Sequence, residues 1–283
     1  MTATPAWATP PLAISTSVFA RVFTAAHLDA LDDSTVTAVE IVGPVPQCPF
    51  DQPDTLRELR ARLRDSRVRL HSVHLPYGRA LDLSQPDEAL RQEAIRLTEI
   101  NLCAAGELGA RLAVVHPSAE PISDEARPVH LDASRRSLTT LAATAAGLGV
   151  RLAVECLPRS CLGHTAAELL SVVEHTDPAV VGVCIDVNHL NLREADIRAP
   201  VNTLGPRLFT LHCSENDGED ERHWLPGDER GVIDWRAFLA GLRDVLYAGP
   251  FLYELRPLAI ADVPTTLRMI EDNYRERIVP LTR

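Results

Sequence analysis

An eight-stranded α/β barrel of parallel strands, the (β/α)8 or TIM barrel, is the fold class that the sequence predicts. Short runs rich in Val, Leu and Ile alternate with longer amphipathic segments, which is the pattern of repeated βαβ units. Eight such runs are present, the number that closes this barrel. The chain has 283 residues, 46% of them hydrophobic, and a barrel of this type commonly takes about 250 residues as one domain. We therefore expect residues 1–283 to form a single domain.

The predicted strands and helices alternate along the whole chain. The strands are placed at 12–18, 36–42, 68–74, 111–116, 150–155, 180–186, 207–212 and 250–254. Apolar periodicity and capping residues place helices at 54–65, 86–109, 131–148, 165–175, 234–247 and 262–278. Gly109 and Gly149 stand where two of these helices should stop before the next strand. No linker or composition shift divides the chain.

Seven hydrophobic runs in the predicted strands end in a carboxylate or an imidazole. These residues are Glu40, His74, His116, Glu155, Asp186, His212 and Glu254. A strand often ends in a polar residue because it emerges into solvent, but ordinary exits would also show Ser, Thr, Asn, Gln and Lys. Counting back by two residues from these ends gives mostly small or apolar side chains, as a filled barrel requires. Because barrel strands share one carboxyl-end face, we expect the seven side chains to meet there.

Four of these residues form a predicted metal site: Glu155, Asp186, His212 and Glu254. Three carboxylates and one imidazole are a ligand set dominated by hard oxygen atoms, which favours Mn²⁺ or Mg²⁺. Zn²⁺ is an alternative because imidazole suits it as well. His189 follows Asp186 by three residues, one helical turn, and can therefore face the same cavity.

The connection after the seventh strand, residues 212–235, is long for a barrel loop and rich in acids. Long loops in compact domains are usually functional or disordered. Within it, Glu221 and His223 could bind a second metal ion or the hydroxyl groups of a substrate. The same two alternatives apply to the remaining strand-end residues, Glu40, His74 and His116.

Composition excludes several other classes of function. The formal net charge of −11 repels a phosphate backbone, so nucleic acid is not an expected partner. The chain contains 28 arginines and no lysine, which excludes lysine Schiff-base chemistry and the P-loop lysine. Neither G-x-G-x-x-G nor G-x-S-x-G occurs. The longest apolar run is far below the ~18–20 residues of a membrane span, and no signal peptide is recognisable, so we expect a soluble, cytoplasmic protein.

Several stretches in the expected order resemble one superfamily. They are VHLPYG (73–78), VVHPS (114–118), LAVECLPRS (152–160), CIDVNH (184–189), LHCSEND (211–217), HWLPGD with VIDW (223–235) and YELRP (253–257). With these stretches the chain resembles the xylose-isomerase-like TIM barrels. That superfamily includes sugar-phosphate isomerases, ketose 3-epimerases, hydroxypyruvate isomerase, inosose dehydratase and, more distantly, the abasic-site nucleases of the endonuclease IV type (AP endonuclease family 2).

The resemblance implies a metal-dependent isomerase or epimerase of carbohydrate metabolism. Glu155, Asp186, His212 and Glu254 would bind one divalent ion, and His189 would touch the substrate. In the epimerase-like members the first and last of these glutamates are also the acid–base pair, acting next to a metal-bound carbonyl. Two features depart from that pattern. The loop after Glu155 differs, so Arg159 is a candidate substrate ligand without a counterpart, and PGDERGVIDW is longer than the expected PG-x-G-x-IDW.

Other activities of the same superfamily stay open at this point. A dehydratase or lyase acting on a cyclic polyol or a shikimate-type acid would use the same metal and similar bases. An endonuclease IV-like phosphodiesterase would use three metal ions. The residues of this chain that resemble its ligand set are His74, His116, Glu155, Asp186, His189, His212, Glu221, His223 and Glu254. A barrel that binds a ligand without catalysis is a third alternative. The sugar or polyol substrate, the number of ions and the formation of a homo-oligomer are not determined by the sequence.

Overall fold

Eight parallel strands form the sheet predicted from the sequence. The computed structural model describes residues 7–19, 23–43, 52–119, 121–158, 160–194, 196–257 and 262–283. The strands are β1 (Leu12–Ser15), β2 (Ala38–Val42), β3 (Arg69–His74), β4 (Leu112–Val115), β5 (Arg151–Glu155), β6 (Val181–Asp186), β7 (Leu208–His212) and β8 (Phe251–Tyr253). Their order in the sheet is β7-β6-β5-β4-β3-β2-β1-β8. The predicted fold class is therefore confirmed.

The barrel closes between β7 and β8 through residues just beyond the ladder. Cys213 forms a parallel bridge with Tyr253. The Cys213 amide donates to the Leu252 carbonyl at 2.8 Å, and the Glu254 amide donates to the Cys213 carbonyl at 3.2 Å. This closure brings Glu254 beside the end of β7, where His212 lies.

Nine α-helices lie in the described part of the chain. They are α1 (Ala25–Asp32), α2 (Pro53–Asp65), α3 (Glu88–Leu108), α4 (Arg127–Leu148), α5 (Ala166–Val173), α6 (Val187–Asn191), α7 (Arg198–Leu204), α8 (Trp235–Asp244) and α9 (Val263–Asn273). All six predicted helices are present, and the last continues past Asn273 as a π-helical turn. The sequence did not predict α1, α6 and α7, each of eight residues or fewer. None of the described helices is both long and apolar enough to cross a bilayer.

Small and apolar side chains fill the inside of the barrel below its carboxyl-end face. One cluster contains Leu112, Val114, Ala153 and Cys184, and a second contains Ala13, Ala38 and Leu252. Gly182 belongs to the same interior, where a Cβ atom would lie 2.5 Å from the Arg207 carbonyl oxygen and from the Phe209 ring. The polar residues at the strand ends therefore stand above a packed core.

Candidate metal and substrate site

The strand-end side chains surround a cavity of about 330 Å³ at the carboxyl-end face of the barrel. Glu155 and Glu254 line it, whereas Asp186 and His212 are fully buried behind them. The other polar side chains of the lining are His74, Tyr77, Arg79, His116, Ser118, Cys161, His189, Glu221 and His223. The cavity combines acids and imidazoles with an apolar wall formed by Leu157 and Pro158.

Glu155, Asp186, His212 and Glu254 are close enough to share one ion. Each offers a ligand atom, and these four atoms all lie within 4.8 Å of one another. His212 Nδ1 lies 3.3 Å from Glu155 Oε1 and 3.3 Å from Glu254 Oε2. Register explains part of this, because Asp186 is paired with His212 at the ends of β6 and β7. The structure thus brings together the four residues that the sequence grouped.

Asp186 has one oxygen committed to the fold and one directed elsewhere. Oδ1 caps α6 by accepting hydrogen bonds from the Asn188 amide at 2.7 Å and the His189 amide at 3.1 Å. Oδ2 is buried and accepts no hydrogen bond from any described residue, although His189 Nδ1 lies 3.5 Å away. A buried carboxylate oxygen without a hydrogen bond is costly, and a cation in the four-residue cluster would satisfy it.

The two glutamates of the cluster differ strongly in proton affinity. Burial raises the pKa of Glu155, but His212 and His116 outweigh this effect and hold that pKa well below its usual value. Burial raises the pKa of Glu254 to about 8, opposed by His212 and assisted by the charges of Glu155 and Asp186. Without a cation, the site therefore favours the ionised form of Glu155 and the protonated form of Glu254.

A first histidine pair contacts Glu155 from the side of β3 and β4. His74 Nε2 lies 3.0 Å and His116 Nε2 3.1 Å from Glu155 Oε2. Burial lowers the pKa of His74, but the hydrogen bond and charge of Glu155 raise it to about 9. Burial lowers the pKa of His116. These three residues also have ligand atoms within 4.8 Å of one another, so they form a second group able to hold a cation.

The long loop after β7 brings a third group to the cavity. Glu221 and His223 join His189, again with ligand atoms within 4.8 Å. His189 Nδ1 lies 3.0 Å from the Cys156 carbonyl, and its Nε2 lies 3.6 Å from Glu221 Oε2. His223 adopts a positive φ of 49°, a conformation that is uncommon for a residue other than glycine. The loop is therefore folded onto the site.

A comparison with known protein families decides which barrel this is. Residues 28–272 match the family described as Xylose isomerase-like TIM barrel. The chain belongs to this family. The resemblance inferred from the sequence motifs is confirmed, and the match covers all strands except β1.

Epimerases are among the relatives of this xylose isomerase-like barrel. The chain is 25% identical over 187 residues to a ketose 3-epimerase of Arthrobacter globiformis, covering 65% of this chain and 62% of the relative. It is 32% identical over 109 residues to a D-psicose 3-epimerase of Agrobacterium fabrum, covering 38% and 35%. The aligned segments thus span less than two thirds of these relatives. A solved D-allulose 3-epimerase from Methylomonas sp. shares the fold with a TM-score of 0.79 at 19% identity, covering 96% and 99% of the two chains.

A buried glutamate that sequence reasoning did not single out organises the long loop of the barrel. Glu215 Oε2 accepts hydrogen bonds from Trp235 Nε1 at 2.6 Å and the Gly227 amide at 3.0 Å. Its Oε1 accepts one from the Ile233 amide at 3.0 Å. The carboxylate thereby ties the two ends of the loop to its middle. No local feature of the sequence marks Glu215 among the acids of this loop.

The remaining candidate residues lie in different places. Glu40 is fully buried and is not part of the cavity lining; its contacts are with His212 and Ser72. Arg159 lies outside the described residues. Tyr77, which the sequence reasoning did not select, lies at the mouth and stacks on His116 with ring centroids 4.2 Å apart. Its side chain is 61% exposed, so it offers an aromatic face to a bound molecule.

Proposed function

We propose that the protein is a divalent-metal-dependent epimerase or isomerase of a ketose or a related polyol. The observation that carries the proposal is the pair of cavity-lining carboxylates, Glu155 and Glu254, within one cluster of cation ligands. Carboxylates placed around one carbon atom can remove and return a proton. The ketose 3-epimerases among the relatives support this reaction class.

The residues fit a divalent ion. Three carboxylates and one imidazole are suitable ligands for Mn²⁺, Mg²⁺ or Zn²⁺, and the buried Oδ2 of Asp186 makes no hydrogen bond to a described residue. Glu155, Asp186, His212 and Glu254 would hold the ion. When bound, it would act as a Lewis acid on a carbonyl oxygen and a neighbouring hydroxyl oxygen.

The side chains of the cavity then carry out the proton transfer. One of Glu155 and Glu254 removes the proton from the carbon next to the carbonyl, and the other delivers a proton to the opposite face of that carbon. The carbon skeleton and the redox state are unchanged, and one stereocentre is inverted. His189, Glu221 and His223 bind hydroxyl groups of the substrate. Tyr77 and the apolar wall formed by Leu157 and Pro158 exclude water from the reacting carbon.

A phosphodiesterase of the endonuclease IV type is the second candidate, because further groups of cation ligands lie beside the central cluster. His74 and His116 with Glu155, and His189 and His223 with Glu221, each meet the same distance criterion as the central cluster. Glu155 belongs to two of the groups, as a ligand bridging two ions would. The net charge of −11 disfavours approach to DNA, so this activity ranks second.

The two candidates separate in a direct assay. The purified protein is incubated with Mn²⁺ and a panel of ketoses and polyols, and the sugars are resolved by chromatography. We expect interconversion of one ketose pair that differs at the carbon next to the carbonyl. Glu254→Gln should abolish it, whereas Glu99→Gln, the same change on the outer helix α3, should not. Cleavage of abasic DNA, with about three ions per chain and no sugar conversion, would overturn the epimerase proposal in favour of the phosphodiesterase. Formation of a new ultraviolet-absorbing enone would indicate a dehydratase.

A further inference from the structure

Glu40 lies one layer deeper in the barrel than the residues of the cavity. It precedes the end of β2 by two residues, whereas Glu155, Asp186 and His212 are the last residues of their strands. Its side chain is 0% exposed. A carboxylate buried to this degree is strongly destabilising unless it is paired. Its contacts therefore indicate what it does.

Two side chains engage the Glu40 carboxylate. Ser72 Oγ donates a hydrogen bond to Oε2 at 2.7 Å. His212 Nε2 lies 3.1 Å from Oε1 and 3.2 Å from Oε2. An ionised carboxylate only accepts hydrogen bonds, so the nitrogen of His212 that faces Glu40 must carry a hydrogen atom.

The other ring nitrogen of His212 points into the four-residue cluster. Nδ1 lies 3.3 Å from Glu155 Oε1 and 3.3 Å from Glu254 Oε2. A histidine binds a cation through a nitrogen that carries no hydrogen. With Nε2 donating to Glu40, the neutral ring keeps its lone pair on Nδ1, on the side where the cation ligands converge.

We propose that Glu40 is a positioning residue, which fixes the His212 ring with Nε2 protonated and presents Nδ1 to a divalent cation. Without this carboxylate, His212 is free to place its hydrogen on Nδ1, a form that cannot bind the ion. Carboxylate partners of metal-binding histidines typically change metal affinity by about 10- to 100-fold. The inference rests on the metal site of the proposed function and is independent of which sugar is the substrate.

The test measures cation binding rather than turnover. Mn²⁺ is titrated into metal-free protein by calorimetry and by electron paramagnetic resonance of the free ion. We expect Glu40→Gln to weaken Mn²⁺ binding about 10- to 100-fold. Glu99→Gln, which removes a carboxylate of α3 outside the cavity lining, should change it less than about 2-fold. In Zn²⁺-loaded protein labelled with ¹⁵N-histidine, the wild type should show His212 protonated at Nε2 alone. The Glu40→Gln variant should lose this single form.

A second variant, Ser72→Ala, tests the proposal if Glu40→Gln does not fold. Ser72→Ala keeps the Glu40 charge and removes the hydrogen bond to its Oε2, so we expect a smaller loss of Mn²⁺ affinity, about 3-fold. Wild-type Mn²⁺ affinity in every folded variant, or His212 protonated at Nδ1 in the wild type, would overturn the inference whatever the enzyme activity. A wild type that binds no divalent ion would overturn the inference and the metal site together. Mn²⁺ binding that responds as expected, without any sugar conversion, would overturn the epimerase proposal alone.

Discussion

Metal-free protein should lose stability as the pH rises from 6.5 to 8. His74 is buried against Glu155, with Nε2 3.0 Å from Oε2, and its pKa is raised to about 9 from the usual 6.5. Because the folded state holds this proton more tightly than the unfolded chain, the stabilisation is complete below pH 6.5 and is lost as the pH passes 9. Glu254, whose pKa is raised to about 8, contributes with the same sign, as does His189, whose pKa is raised to about 10.

The size of the expected loss of stability follows from the pKa of His74. A difference of 2.5 pKa units between folded and unfolded states corresponds to about 3 kcal/mol. About half of this is lost between pH 6.5 and 8. For a chain of this size ~1 kcal/mol shifts the melting temperature by about 2 °C, so we expect a decrease of about 3 °C. Glu254 and His189 are not added, because interacting groups titrate together.

The assay is thermal and urea unfolding in EDTA at constant ionic strength between pH 6.5 and 8. Higher pH is avoided because burial raises the pKa of Cys184 and Cys213, and ionisation of these thiols in the unfolded chain would add a loss of its own. His74→Gln should reduce the pH dependence without abolishing it, because Glu254 and His189 still contribute. His175→Gln, at an exposed histidine beside Glu174, should leave it unchanged. A melting temperature that is constant or rises with pH in metal-free wild type would refute the reasoning.

Three further outcomes are expected. Glu215→Gln should lower the free energy of unfolding by about 2 kcal/mol in urea denaturation, because an amide group replaces one of two buried oxygens that together accept four hydrogen bonds. An effect no larger than that of Glu219→Gln, at an exposed position of the same loop, would contradict its anchoring role. Gly182→Ala should lower the free energy of unfolding by about 2 kcal/mol or more, since its Cβ would lie 2.5 Å from the Arg207 carbonyl oxygen. Gly106→Ala in α3, with its nearest neighbour at 3.8 Å, should be neutral or stabilising. Equal effects of the two substitutions would refute the steric argument. Mn²⁺ binding should weaken as pH falls from 8 to 6 and should release protons. The number of released protons is measured by calorimetry in two buffers, and a value of zero would be inconsistent with the ligand set.

The strands and most of the site could be predicted because the relevant signal is local. Apolar runs mark buried parallel strands, and the polar residue that ends each run lies at the face where the strands converge. Glu155, Asp186 and His212 terminate β5, β6 and β7 in the structure as in the sequence pattern. The short helices α1, α6 and α7 have too few turns for the periodicity of a helix to stand out.

Two features depend on geometry that the local sequence does not contain. The run containing Glu40 continues as strand to Val42, so this glutamate lies below the cavity, although its sequence context looks like that of Glu155. Glu215 is one acid among several in the loop after β7, and nothing local distinguishes it from Glu219. Only the folded loop shows which of these carboxylates is buried and hydrogen-bonded by distant residues.

Deuterium incorporation tests the central claim most directly. The protein, loaded with Mn²⁺, is incubated in D₂O with each ketose of the panel, and the sugar is analysed by mass spectrometry after removal of the metal. We predict uptake of about one solvent deuterium at the carbon next to the carbonyl, with none after metal removal or in Glu155→Gln and Glu254→Gln. Unchanged sugar in the metal-loaded wild type across the whole panel, or undiminished exchange in both glutamine variants, would contradict proton transfer by these two carboxylates.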